Sequence, residues 1–405
     1  MPAAIYPSST HFEIRPLPAP LQKDSRIGAQ VCFRDTDSSD SGPGSGPRLV
    51  DPEALDESDR ELLQTALWEH SVLVFKKQKG IHPAVLPVLA GVWDDKVKET
   101  HSAGEKMVTD KDNILSRNGG NRIPRAPMVS ILGSGRFENY EDIPELNLRH
   151  VNQKEFHAEP LSPEEVAAGQ TRFYRWHMDM PLHRRLPGRV TLIHGLVIPE
   201  GGDQRVVFDE GDEMSIAPGA TAFISGSRAF DNLSPEEQEW ALNTTVQYAP
   251  RPYEWIRDCR ATSDGLTISS ADQERPLDDL PEWTWADSQT HPMVWKHPLY
   301  ADRPLLQIVG CCVYALRTTD PATGAVTEIT DIRSVRAKIR SLMKKTVRPQ
   351  HIYAHAWEEG DLVVFHNKGV WHSITGNLDD QKRLLWQCTM ESGEMPEAAR
   401  PARTT

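Results

Sequence analysis

The sequence predicts an α+β fold that is mainly β: a jelly-roll core with flanking helices. Two observations lead there. From Thr171 onward, short apolar runs follow one another, most of them closed by Gly, Pro, Asp or Asn, at the spacing of sandwich or barrel strands. Helical periodicity is confined to the stretches 58–70, 234–244 and 331–345.

In chain order, residues 1–49 form an N-terminal segment in which IRPLPAPLQ and VCF read as a short edge strand. Its residues 36–48, DTDSSDSGPGSGP, are too poor in apolar side chains to pack. Residues 50–392 make the main domain and 393–405 a C-terminal tail. SDRELLQTALWEH (58–70) opens the domain as a helix: Ser58 and Glu61 match a capping box, and Leu62, Leu63, Ala66, Leu67 and His70 share one face. SVLVFKKQ (71–78) follows directly as a buried strand.

Strands are then expected at TRFYRW (171–176), RVTLIHGLVI (189–198), QRVVF (204–208), ATAFISG (220–226) and TVQYAP (245–250). The later ones are LQIVGCCVYAL (306–316), HIYAHAW (351–357), DLVVFHN (361–367) and KRLLWQCTM (382–390). Between them, SPEEQEWALNT has Ser234 as N-cap, Pro235 at the first helical position and Glu237 closing the box. DIRSVRAKIRSLMKK (331–345) is an amphipathic, basic surface helix, and the acidic FDEGDE (208–213) is solvated surface. No internal repeat is evident.

Composition narrows the function classes. Hydrophobic residues make up 38% and charged residues 25% of the chain, a globular balance. A net charge of −13 argues against a partner that presents nucleic-acid phosphates. No apolar run is long enough to span a bilayer, and MPAAIYPSSTHFEIRPLPAP has neither the basic nor the apolar region of a signal peptide. Five cysteines without CxxC spacing fit a reducing cytoplasm, with Cys311 and Cys312 as buried strand thiols. The expected partner is a small-molecule substrate, not nucleic acid or a membrane; self-association into a homo-oligomer is left open.

The chemistry begins at TRFYRWHMDMPLHRR (171–185). In an extended strand His177 and Asp179 point to one side, so an imidazole and a carboxylate share a cavity. Such a pair alone is commonly a core histidine beside a surface aspartate. A jelly roll, however, brings late strands beside early ones, and EEGDLVVFHNKGVWHSITGN (358–377) delivers His372 after a tight turn at Asn367–Gly369. Arg383 follows eleven residues on, opening the KRLLWQCTM strand. Two histidines and one carboxylate on one face of an octahedral metal leave three positions open. Fe(II) needs that arrangement if it is to hold a bidentate 2-oxoacid and admit O2. A buried arginine supplies the bidentate cation for the far carboxylate of 2-oxoglutarate. A structural zinc site would instead offer four closed ligands.

The sequence resembles the taurine/2-oxoglutarate dioxygenase superfamily. ALWEHSVLVFKKQ resembles its first helix–strand unit, GGD-Gln204 its GGDT, and GDLVVFHNKGVWHS its distal-histidine motif. Within it, TRFYRWHMD, TAFISG, LSPEEQEWAL, YAPRPYEW and the WQC after the arginine resemble the fungal xanthine/2-oxoglutarate dioxygenases, over about residues 50–392. The resemblance implies a double-stranded β-helix. It also implies His177, Asp179 and His372 as iron ligands and Arg383 as the anchor of the 2-oxoglutarate C5 carboxylate. Gln204 stands in for a threonine that helps hold 2-oxoglutarate, the alternative being a plain surface glutamine. Lys154 lies where the family's active-site loop runs, the alternative being a solvated loop lysine.

Departures from the xanthine group concern the substrate wall. That group carries two glutamines where this chain has Met128 and Ser130, and an asparagine where it has Thr389. An oxidised purine needs amide-type partners at its polar edges, so the iron centre is kept while the pocket is rebuilt. Gln387 lies an even number of residues from Arg383 and faces the same cavity. Met128, Ser130, Gln387 and Thr389 are therefore expected to line the open side of the iron. Trp176 and Trp371, each next to a ligand histidine, should point away from it, and His157, His183, His355 and His366 read as structural, His366 as a turn residue.

The leading expectation is an oxygenase that hydroxylates, desaturates or ring-closes an amino acid or a natural-product intermediate of secondary metabolism, releasing succinate and CO2. The alternatives are purine oxidation in a rearranged pocket and, from another class, a non-catalytic metal-binding jelly-roll module. A halogenase is disfavoured because Asp179 occupies the position a halide would need.

Overall fold

In the computed structural model, which describes residues 6–9, 11–18, 25, 27–34, 48–96, 99–100, 122–269, 272–376, 378 and 381–399, strand alternation sorts the apolar residues onto the two faces of one large sheet. The fold is mixed α/β and mostly β. The large sheet has nine strands among the described residues. Its central order is Val72–Phe75, Leu362–His366, Val190–Val197, Arg383–Thr389 and Ala126–Tyr140. Phe12–Pro16 and Ala29–Phe33 complete one edge as an antiparallel pair, so the expected single edge strand is two, joined to the main sheet. Residues 36–47 of the polar loop and 400–405 of the tail lie outside the described residues.

Leu192, Leu362, Val364, Leu384, Trp386 and Cys388 point outward and bury the helix that follows residue 56. Val72, Val74, Ile193, Val363, Phe365 and Leu385 point inward. There they meet Phe223, Tyr353 and Val370 from a second, three-stranded sheet of Ile352–His355, Thr221–Ser225 and Val370–Ile374. The outer face of this small sheet, with Ala222, Ile224, Ile352 and Trp371, packs against a third apolar cluster. That cluster draws on the four-stranded sheet of residues 244–329 and on the helix Ile332–Met343, which buries Val335, Ile339, Leu342 and Met343.

Three local expectations are corrected. The first helix runs Glu57–His70 and is capped by Asp56, not by a Ser58–Glu61 box. Asp56 accepts from the Asp59 amide at 2.8 Å and Asp59 accepts from the Asp56 amide at 3.2 Å. Asp59 is fully buried and also bonded to Ser9 and His11, so its position sets where the helix starts. The run LQIVGCCVYAL is not one strand: a 3-10 turn at Gly310–Cys312 separates Leu305–Leu306 from Val313–Thr319. Cys311 and Cys312 are buried free thiols 3.6 Å apart on that turn. Finally, TRFYRW yields only Gln170–Thr171 as strand, and the chain beyond it runs extended beside Val370–Ile374 with a single bridge at His177. The Ser234 capping box with Pro235 and Glu237 forms as expected.

One glycine on the large sheet has a consequence for the site. Gly133 adopts φ +149°, and a Cβ there would overlap the backbone carbonyl of Arg383 on the neighbouring strand. Gly133→Ala must push the two strands apart, an overpacking cost of roughly 1–3 kcal/mol. The expected result is a lower urea midpoint with an unchanged slope. An unchanged midpoint would show that the strands separate there freely.

Candidate metal centre

The two facing sheets hold the site between them. His372 stands on the inward side of Val370–Ile374, paired in register with Phe223, and its ring lies 4.9 Å from that of Phe365. The segment carrying His177 and Asp179 is fastened to this strand by reciprocal backbone bonds: His177 N donates to His372 O at 3.0 Å, and His372 N to His177 O at 2.8 Å. The two imidazole centroids are consequently 4.2 Å apart.

The His177 Nδ1–H donates to the carbonyl of Arg175 at 2.9 Å, which fixes the tautomer and leaves the Nε2 lone pair free. That Nε2 lies 3.9 Å from Asp179 Oδ1, and His372 Nε2 lies 3.5 Å from the same oxygen. Burial, aided by the neighbouring His372 and Arg175, holds the His177 imidazole well below its usual pKa, so it is neutral and ready to ligate. One ligand atom from each of His177, Asp179 and His372 falls within 4.8 Å of the others. The arrangement can take a divalent metal with two nitrogens and one carboxylate oxygen.

The backbone and Oδ2 of Asp179 are tied by hydrogen bonds. Its amide donates to Asn367 Oδ1 at 2.7 Å, while Asn367 Nδ2 donates to the Asp179 carbonyl and to that of Gly188, each at 2.8 Å. Its Oδ2 accepts from Thr191 Oγ1 at 2.8 Å and Gln387 Nε2 at 3.0 Å, with Thr389 Oγ1 at 3.3 Å. The large sheet brings these donors together by register: Thr389 lies opposite Thr191, and Gln387 opposite Ile193 on one side and Ser130 on the other.

Arg383 is inward on the same strand and only 3% exposed. Its Nη2 donates to Gly219 O at 2.9 Å, but its Nε is buried without a partner, and no carboxylate among the described residues pairs with it. Gly219 makes room for it: at φ +68°, a Cβ there would sit 3.0 Å from Nε. Burial lowers the arginine to about 10, which still leaves it charged at neutral pH. His150 is held down to about 3, by burial first and then by Arg383 itself. The Thr375 hydroxyl, one residue before the Gly376 that packs onto Gly219, is likewise buried without a partner. A buried cation with an unused donor and no counter-charge among the described residues fits an anionic ligand such as a dicarboxylate.

The remaining expected residues divide. Ser130 faces the site as Gln387's cross-strand neighbour. Met128 shares its side by alternation, yet its partly buried side chain packs with the outer, helix-side cluster. Gln387 and Thr389 reach the site: Gln387 Nε2 donates to Asp179 Oδ2 at 3.0 Å, and Thr389 Oγ1 lies 2.8 Å from Thr191 Oγ1 and 3.3 Å from Asp179 Oδ2. Gln204 is half-buried at the start of Gln204–Val207, opposite Ile216. Lys154 is exposed on the short helix Gln153–Phe156, and its described bonds reach neither the triad nor Arg383.

Trp176 and Trp371 are fully buried away from the metal side, as alternation requires. His366 ends the strand Leu362–His366 and opens the turn, its carbonyl accepting from Gly369 N at 2.8 Å, while its ring packs 4.7 Å from that of Trp68. Sequence reasoning missed Thr191, His150 and Thr375; Asn367 lies in the turn as expected, but its side-chain bonds to Asp179 were not foreseen. Thr191 left one signal, a lone hydroxyl at the inward parity of an apolar strand.

Comparison with known proteins bears on this geometry. The model of the family described as taurine catabolism dioxygenase TauD, TfdA matches residues 37–389. The chain is 38% identical over 348 residues to the alpha-ketoglutarate-dependent xanthine dioxygenase xanA of Emericella nidulans, covering 85% of this chain and 91% of that one. To the alpha-ketoglutarate-dependent dioxygenase bsc9 of Alternaria brassicicola it is 28% identical over 386 residues, covering 90% and 89%. Among solved structures, AAD-2 in complex with Mn(II) and N-oxalylglycine gives a TM-score of 0.54 at 15% identity, over 96% of this chain and 99% of that one, a likeness of fold.

Proposed function

This chain belongs to the taurine catabolism dioxygenase TauD, TfdA family, and from that premise we propose that it oxidises a compact, partly apolar organic molecule by hydroxylation, desaturation or ring closure. It is an Fe(II)- and 2-oxoglutarate-dependent dioxygenase. The two facing sheets are read as the family's double-stranded β-helix. One observation carries the reading: two imidazoles and one carboxylate oxygen converge between the sheets, while Arg383 on an adjoining strand keeps a buried charge with no carboxylate partner among the described residues.

In this reading His177 Nε2, Asp179 Oδ1 and His372 Nε2 hold the iron. The bound iron supplies the redox chemistry by which O2 and 2-oxoglutarate give succinate, CO2 and an oxidised substrate. Arg383 anchors the C5 carboxylate, with the Thr375 hydroxyl as a further donor and Gln204 as a candidate for the same task. The Arg175 carbonyl keeps His177 in its ligating tautomer. Ser130 and Met128 border the substrate space; Lys154 contributes only if substrate reaches the surface of the Gln153–Phe156 helix.

The substrate class rests on what the wall lacks. With the Gln387 amide turned to Asp179, the Thr389 hydroxyl to Thr191, and Ser130 and Met128 beside them, few amide groups remain among the described residues for the polar edges of a purine. A natural-product intermediate or amino acid with an apolar flank fits better. The second reading, purine oxidation in a rearranged pocket, is favoured by the 38% identity to a xanthine dioxygenase. A metabolite library screened for substrate-stimulated succinate, with and without Fe(II), tests both. The expected hit is a partly apolar compound, with urate from xanthine formed far more slowly. Xanthine turning over as fast as any other compound would overturn the substrate class. Succinate formation that does not depend on Fe(II) would overturn the metal assignment.

A further inference from the structure

The carboxylate of Asp179 is asymmetric. Its Oδ1 faces two imidazoles, while its Oδ2 faces three donors on the large sheet. Proton accounting decides which of the three act directly. Each threonine hydroxyl has one proton, and the Gln387 amide donates through Nε2. Thr191 Oγ1 and Thr389 Oγ1 lie 2.8 Å apart. Thr389 is 2.8 Å from Thr191 but 3.3 Å from Oδ2, so its proton belongs to the Thr191 oxygen, and Thr191 passes its own to Asp179 at 2.8 Å. Oδ2 thus accepts two charge-assisted bonds, one from Thr191 and one from Gln387, with Thr389 supporting Thr191 from behind.

We infer that Thr191, Gln387 and Thr389 are positioning residues that hold Asp179 to one-oxygen ligation, and that Gln387 and Thr389 do not serve as substrate contacts. The inference rests on the iron reading of the site. Chelation through both oxygens would pull Oδ2 away from both donors and leave an amide and a hydroxyl unpaired on the inward face of the sheet. The Asn367 clamp on the Asp179 amide and carbonyl stops the side chain from swinging as a unit to keep those bonds. One-oxygen ligation matters because a 2-oxoacid binding through two oxygens, together with O2, needs three open positions, and a chelating aspartate would take one of them.

The test uses the full chain, stripped of metal and titrated anaerobically with Co(II), whose d–d absorption reports coordination number and whose affinity is read from the same curve. Thr191→Val keeps the shape and removes the donor. Gln387→Met does the same for the amide, and Thr191→Ser restores the hydroxyl. Thr191→Val and Gln387→Met are each expected to weaken Co(II) roughly 10–100-fold, the usual effect of losing an outer-shell partner, and to change the d–d spectrum. Thr191→Ser should stay within about threefold of the parent, and Thr389→Val should have a smaller effect than Thr191→Val.

Urea midpoints show whether each variant is folded, and the two lesions lie on different strands, so either one decides if the other fails to fold. If Thr191→Val and Gln387→Met bind Co(II) with the parent's affinity and spectrum, the inference is wrong. A His372→Ala arm separates this from failure of the underlying reading. Parent protein that binds no Co(II), or His372→Ala that binds it as the parent does, overturns the metal site itself and the inference with it.

Discussion

Replacing His372 by alanine is expected to abolish 2-oxoglutarate turnover and to remove tight Fe(II) binding while leaving the protein folded. The imidazole is one of three groups, with His177 and Asp179, that the fold brings together among the described residues, so its loss leaves a two-ligand remnant. The affinity loss should exceed the roughly 10–100-fold typical of an outer-shell change, because a ligand itself is gone. Stability should move far less. The side chain is 4% exposed among Phe223 and Phe365, so truncation leaves a cavity. Against that, His372 Nδ1 is buried without a partner, and removing an unsatisfied group recovers about 1–3 kcal/mol. The backbone bonds between residues 177 and 372 do not depend on the side chain and should persist. Metal titration and a urea melt on the same sample check both halves. Retained iron affinity in a folded His372→Ala would remove the triad as the metal site.

The contrast between what could and could not be foreseen follows from how each residue is placed. His177 and Asp179 were legible because two-residue spacing puts them on one side of an extended chain, and His372 and Arg383 because they lie on late apolar strands that a jelly roll must bring back. The segment carrying His177 nonetheless forms no ladder beyond its single bridge. It is held just before His177 by the Gly265 carbonyl and just after it by Asn367, neither of them local in sequence. Thr191 and Thr389 are 198 residues apart, and only the register of two central strands makes them neighbours. No local pattern carries that information. Gln387 shows the same limit: parity gave its direction correctly, but the partner that claims its amide comes from another part of the chain. The first helix failed for a related reason, since the buried Asp59 that displaces the Ser58–Glu61 box is fixed by Ser9 and His11 from the N-terminal segment.

Arg383→Ala is expected to raise the apparent KM for 2-oxoglutarate far more than that for the substrate. In the free protein the guanidinium is buried beside Gly219, charged, and matched by no carboxylate among the described residues, an arrangement that costs free energy unless a ligand supplies the anion. If the far carboxylate of 2-oxoglutarate docks on Arg383, the charge–charge hydrogen bonds form at a buried group. Removing the arginine then leaves the ligand's far carboxylate desolvated and unpaired. Truncating one member of such a buried pair costs about 2–5 kcal/mol, or roughly 30- to 4000-fold in affinity. Arg383→Lys should recover only part of it, since a single ammonium cannot reproduce the forked geometry that places Nη2 on Gly219 and leaves Nε open for a second bond. The variant should still bind metal, because none of the three ligand atoms touches Arg383 in the described contacts. Steady-state kinetics with 2-oxoglutarate and substrate varied separately, alongside an anaerobic Co(II) titration, read the three quantities apart. A rise of only twofold in the 2-oxoglutarate KM, with metal affinity intact, would place the C5 carboxylate elsewhere and leave Arg383 as a structural cation held by Gly219.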